Sequence, residues 1–180
     1  MTKRKGVTNL LSKLLILQRL NKDSVFWSSE VTVDWGTKFT KRVDFMQFKP
    51  ANQFVSGIEK GDFICYEVKS CKDDFHSGNG LNFIGDKNYI ITTMDCYKQI
   101  VNEIPYNVGV LVAVPFLADT YEEFEKPTPL PEVSDNDSEN NKIFQEWGLR
   151  IIKNAHPANR RYATSELLFC MLRSGKEGGL

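Results

Sequence analysis

Along the chain the period of the apolar residues changes several times, and each change marks an element. Leu10, Leu14 and Leu17 recur at i, i+4 and i+7, with Leu11 and Leu15 beside them and Lys13 and Arg19 on the wet side. That stripe predicts an amphipathic helix over 8–20, with Thr8 or Asn9 in place to cap it. β-branched and aromatic residues over 25–33 predict a strand. Gly36-Thr37-Lys38 makes a turn, and 41–48 is a second strand stopped before Pro50. A polar loop over 49–61 precedes the most apolar early run, Phe63-Ile64-Cys65-Tyr66, which ends in Glu67-Val68-Lys69. Gly78, Asn79 and Gly80 keep any helix after Ser70 short. A β-rich run at 89–93, a helix over 95–103 ended by Pro105, and a wholly apolar run at 108–114 follow. The last of these reads as a strand covered on both faces.

Strand, helix, strand, helix, strand from 61 to 114 is an α/β order, with helices covering a mixed β-sheet and the 25–48 hairpin adding antiparallel strands. Residues 119–141 are rich in Glu, Asp and Pro and predict a solvated linker or mobile loop. Phe144, Trp147 and Ile151 predict an amphipathic helix over 143–152, and 163–172 a last helix. The expected organisation is an α/β core over 1–118, the acidic segment over 119–141, and a C-terminal helical segment over 142–180.

Composition narrows the chemistry. The 180 residues carry 23 Lys and Arg against 23 Asp and Glu, so nucleic acid could be attracted only by a local patch. Four scattered cysteines form no CxxC pair, and two distant histidines give no zinc spacing. Free thiols point to a reducing, cytoplasmic compartment. The basic start Thr2-Lys3-Arg4-Lys5 precedes leucines, but Lys13, Gln18 and Arg19 interrupt them without a cleavage site. No apolar segment has the length of a membrane span.

Three charges sit where apolar residues are expected. Asp44 alternates with Met46 and Phe48 on one strand, and Glu67 and Lys69 share a face at the end of the next. Buried charges must be paired or bind a metal. A strand-end salt bridge near the surface is the plain reading. The alternative is a shared Mg²⁺ (or Mn²⁺) held by Asp44, Glu67 and the Val68 carbonyl, since a hard cation prefers oxygen ligands and keeps several waters. A lysine beside it would serve the attacking water.

The motifs Arg42-Val43-Asp44-Phe45, Tyr66-Glu67-Val68-Lys69-Ser70, Asp73-Asp74-Phe75, Gly85-Asp86-Lys87-Asn88-Tyr89, Ile104-Pro105 and Val108-Gly109-Val110 fall in one order between Glu30 and Val114. In that order the chain resembles the PD-(D/E)xK nuclease superfamily, and more narrowly the MmcB-like DNA-repair group and its phage relatives. The resemblance implies a restriction-endonuclease-like core and metal-dependent DNA cleavage in repair, recombination or phage DNA metabolism. It assigns Asp44 and Glu67 to the metal and Lys69 to the water. Some members add an acidic residue from the first helix. Helix 8–20 has none, which leaves Glu30 as the early candidate, and Val43 stands where the motif has proline.

Phosphates would be met by Lys41, Arg42, Lys72 and Lys87, with Lys38, Lys49, Arg160 and Arg161 as further cations. Asp86 and Lys87 serve equally as a turn-stabilising pair. Trp27, Trp35 and Tyr89 are candidates for stacking on bases, core packing being the plainer role. The competing expectations are a nuclease-fold binding module without activity, as a homodimer or with a protein partner, and a phage-encoded inhibitor whose acidic segment mimics nucleic acid.

Overall fold

Valine and isoleucine crowd two central strands, and the sheet is built outward from them. The computed structural model describes residues 3–78, 81–131 and 137–174. In order these give α1 (Lys3–Leu15), continued by a π-helical turn (Ile16–Leu20), β1 (Phe26–Val33), β2 (Lys41–Lys49), α2 (Val55–Glu59) and β3 (Asp62–Lys69). Then come α3 (Lys72–His76), β4 (Lys87–Thr93), α4 (Met94–Ile100) with a 3-10 turn, β5 (Val108–Pro115), α5 (Thr120–Glu125), α6 (Asp137–Glu146), β6 (Trp147–Lys153) and α7 (Thr164–Ser174). The six strands lie side by side in chain order. β3, β4 and β5 run parallel; β1, β2 and β6 pair antiparallel at the two sides. The protein is therefore α/β, with an open mixed sheet between helices.

Strand alternation feeds two core layers. Ile91, Leu111 and Ala113 face the α1 leucines Leu10, Leu11, Leu14 and Leu15, together with Phe45, Tyr66 and Val68. Ile90, Val110, Val112 and Val114 face α4, whose Met94, Tyr97 and Ile100 cover them. On that second face α7 covers the other half of the sheet, placing Leu167, Cys170 and Met171 on Val31, Val33, Met46, Phe48 and Phe63. Ser28 Oγ donates to the Met171 carbonyl at 2.9 Å, and Arg173 donates to the Thr32 carbonyl. The last helix thus closes on the first strand.

Three expectations are corrected. The periodicity of Phe144, Trp147 and Ile151 does not carry a helix over 143–152; α6 ends at Glu146 and β6 follows. β5 would otherwise present an open edge, and Trp147 and Leu149 bury themselves by pairing with it. Gly148 permits this approach, because a Cβ there would lie 2.3 Å from the Phe116 ring. The segment 142–180 is consequently no separate helical extension, since it supplies a strand of the common sheet.

The acidic stretch 119–141 is not a solvated linker throughout. Asp119 caps α5 by accepting from the amides of Tyr121 and Glu122. Glu123 is buried and accepts from the Thr128 amide at 3.0 Å and from its hydroxyl, so this acidic side chain is turned inward. Residues 132–136 lie outside the described residues. The first helix, finally, begins five residues earlier than its leucine stripe suggests. Thr8 lies inside it and donates to the Arg4 carbonyl at 3.2 Å instead of capping. Basic side chains in a first turn oppose the helix dipole, and Arg4 offsets this by pairing with Asp74 at 2.5 Å.

Candidate metal and phosphate site

β2 and β3 part company at the residues of interest. Their ladder closes with Phe45 opposite Tyr66. One step beyond, the Asp44 carboxylate replaces the backbone, with Oδ2 accepting from the Val68 amide at 2.8 Å. The N–H and carbonyl of one strand residue point to the same edge, so the Val68 carbonyl is directed to the Asp44 side as well. On the other side of β2 the ladder is interrupted at the same place. Ser29 pairs with Phe45 and Val31 with Val43, whereas Glu30 and Asp44 between them do not pair. Glu30 adopts φ +54°, a left-handed conformation that costs a non-glycine residue on the order of 1–3 kcal/mol.

The strict alternation expected through Asp44 fails for this reason. Val43 and Met46, three residues apart, belong to the same cluster beneath α7.

Glu67 and Lys69 are buried at the end of β3, with 0% and 4% of their surfaces exposed. Their setting is therefore the interior and not the surface, with Lys69 acting on the charges of Asp44, Glu67 and Asp74. Neither Glu67 oxygen has a hydrogen-bond partner among the described residues. The nearby Asn82 backbone amide favours its charged form, and the Asp44 carboxyl opposes it. Burial, then the neighbouring Asp44 charge, push the Glu67 carboxyl up to about 9, against a pull downward from Lys69. Burial likewise raises Asp44, opposed by the Val68 amide and Lys69. Asp74 goes the other way. Burial raises it, but the Ser70 amide and hydroxyl, Arg4 and Lys69 outweigh burial and hold it below the usual range. Lys69 therefore sits among three carboxylates of unequal character.

A cavity of about 640 Å³ opens beside this group, walled by Asp44, Lys69, Asp74, Arg4, Lys41 and Arg42 among others. Glu30 lies at its rim and holds Arg42 Nε at 2.7 Å. Both side chains of that pair are more than half exposed, so it orients Arg42 more than it stabilises the fold. Among the described residues, no three His, Cys, Asp or Glu side chains converge as a preformed metal cage. The donor set that is present, two carboxylates of which one is buried without a partner, fits a hard cation that keeps its own waters better than zinc.

Of the expected residues, the structure brings together Asp44, Glu67, Val68, Lys69, Glu30, Lys41 and Arg42. Lys72 stands on α3 away from the cavity wall. Lys87 lies opposite Ile64 in the parallel register, at the other end of β3, with its ammonium 3.9 Å from Asp62. Asp86 accepts from the Phe63 amide at 2.8 Å and faces Arg160 at 3.5 Å, so the pair it forms is with Arg160. Sequence reasoning misses Arg4 and Asn82. The basic run around Arg4 is the available signal, hidden because the leucine stripe begins after it.

No protein-family model matches the chain. No characterised protein matches it in sequence. Among solved structures, a protein of unknown function from Silicibacter pomeroyi is similar over 97% of this chain and 84% of its own, at 15% identity and a TM-score of 0.49.

Proposed function

We propose that this chain is a divalent-cation-dependent phosphodiesterase acting on DNA. The observation that carries the reading is Glu67: both carboxylate oxygens are buried without partners, beside Asp44 and Lys69, where β2 and β3 separate. Evolution seldom leaves a buried carboxylate unsatisfied unless a ligand completes it.

Asp44, Glu67 and the Val68 carbonyl would hold Mg²⁺ or Mn²⁺. When bound, such an ion polarises the phosphodiester and lowers the pKa of water. The chain's own groups do the rest. Lys69, nearly buried at the cavity wall, orients the attacking water and offsets charge on the phosphoryl oxygens. Arg4, Lys41 and Arg42 on the cavity wall draw in the phosphate backbone, a contact that fixes position without reading sequence. Asp74 sets Ser70 and Arg4, and through them the start of α3 beside the cavity.

Purified protein titrated with Mn²⁺ in a calorimeter should release or absorb heat at one site, and Asp44→Asn should abolish the signal. Cleavage of single-stranded, duplex and branched DNA should require the ion and fall at least ~10²-fold in Lys69→Met. Ion binding without cleavage of any of these substrates refutes the enzyme and leaves a binding module. No ion binding at all refutes the site.

A further inference from the structure

We infer that the β1–β2 hairpin loop is a stacking platform for unpaired bases, which makes single-stranded nucleic acid the substrate class of the neighbouring cavity. This rests on the phosphodiesterase reading above and deepens it.

The loop over 34–40 carries two large aromatic side chains that fold inward nowhere. Trp35 is 72% exposed and Phe39 61% exposed. Single exposed aromatics are ordinary on a protein surface, but here each has a cation. Arg173 lies over the Trp35 ring at 5.8 Å, and Lys38 over the Phe39 ring at 5.1 Å. Rings interleaved with cations suit a nucleic-acid strand, with bases on the rings and phosphates on the charges.

The loop is also built to stay in place. Thr37 and Thr40 hydroxyls both donate to the Asp34 carbonyl, at 2.8 and 2.9 Å, and the Phe39 amide donates to the Thr37 hydroxyl at 3.1 Å. The Asp34 side chain is tied to the body of the protein by the Tyr162 hydroxyl at 2.7 Å. Gly36 at φ +78° and Asp34 at φ +52° make the bends. A preordered loop presents its rings with little further entropy to lose on binding.

Position completes the inference. Thr40, Lys41 and Arg42, which follow Phe39 directly, are part of the cavity wall beside Asp44. The loop is thus joined to the cavity wall through Thr40 and Lys41, whose cation stands between the rings and Asp44 along the chain. A duplex keeps its base faces covered and cannot use the rings.

The test is binding, not turnover. Fluorescence anisotropy with a labelled 12-nucleotide oligo-dT, without added divalent ion, should show tighter binding than to a duplex of the same length. The double variant Trp35→Ala/Phe39→Ala should bind oligo-dT at least ~10-fold more weakly, while its duplex binding stays within ~2-fold. Lys38→Ala/Lys41→Ala should flatten the dependence of log K on log salt by about 1.4, as two lost phosphate contacts on a single strand would. Trp35→Phe, which keeps a ring, should bind within a few-fold of the unaltered protein. Equal affinity for both DNA forms overturns the inference. So does a Trp35→Ala/Phe39→Ala variant that binds oligo-dT unchanged while retaining its melting temperature, or a loop that binds only another protein. Loop-dependent binding of oligo-dT without any cleavage would sustain the platform and overturn the enzyme. Cleavage of duplex indifferent to the loop would do the reverse.

Discussion

Glu67→Gln separates a site from an accident of packing, because the two make opposite demands on stability. In the unfolded chain Glu67 ionises near 4.5, and in the folded protein it keeps its proton up to about 9. Between those values the folded state binds more protons than the unfolded one. Stability therefore falls as pH rises through this window and levels off above it. The slope is about 1.4 kcal/mol per pH unit, or about 3 kcal/mol between pH 5.5 and 8. Asp44, also raised by burial, adds to the loss in the same direction at the acid end. The substituted amide keeps the volume, can donate to the Asp44 carboxylate and carries no charge, so the variant should show little of that slope. Urea unfolding at pH 5.5, 7 and 8 should find the two proteins close at pH 5.5 and the variant more stable by a few kcal/mol at pH 8. Mg²⁺ should reverse the order. The unaltered protein should gain stability by mass action, more so as pH rises and protons cease to compete. The variant should gain little. A variant less stable at pH 8 without metal, or parallel pH dependences for both proteins, would refute the reasoning that Glu67 is buried at a cost.

Three further outcomes follow from single contacts. Glu30→Gly should raise stability by up to about 1 kcal/mol, since glycine accepts φ +54° and the exposed Arg42 pair contributes little; the urea midpoint checks it. Gly109→Ala should destabilise by roughly 1–3 kcal/mol or more, because a Cβ there meets the Tyr89 ring at 2.4 Å and the Ala155 amide at 2.6 Å; the melting temperature reports it. Gln18→Ala should cost about 1–3 kcal/mol and speed amide exchange along β6. Its side chain donates to the Trp147 carbonyl at 2.9 Å and accepts from the Leu149 amide at 2.8 Å, and nothing else in the variant would replace those bonds.

The five strands from Phe26 to Pro115 were legible in the sequence because each is bounded by turn residues and filled by β-branched or aromatic side chains. The sixth was not. Phe144, Trp147 and Ile151 keep a helical spacing, and what decided otherwise was tertiary: the open edge of β5 and the fit of Gly148 to Phe116. In the site, Asp44, Glu67 and Lys69 stood out as charges in apolar company, and the structure brings them together. Residues whose place depends on a distant element were hidden. Arg4 reaches the cavity only because α1 extends to Lys3 and lies near Asp74. Lys87 fails to reach it because a parallel register, unreadable from spacing, sets it beside the start of β3.

The closure of α7 on β1 has a consequence for synthesis. Strands lie in chain order, so each can add to its predecessor as the chain emerges. The cluster of Val31, Val33, Met46 and Phe48, however, is covered by residues 167–171, made more than a hundred positions later. Until then the nascent chain carries an uncovered apolar face on its earliest hairpin, which is covered only once α7 has left the ribosome. Chains that stop short of α7 would carry that face permanently and become substrates for chaperones and proteases.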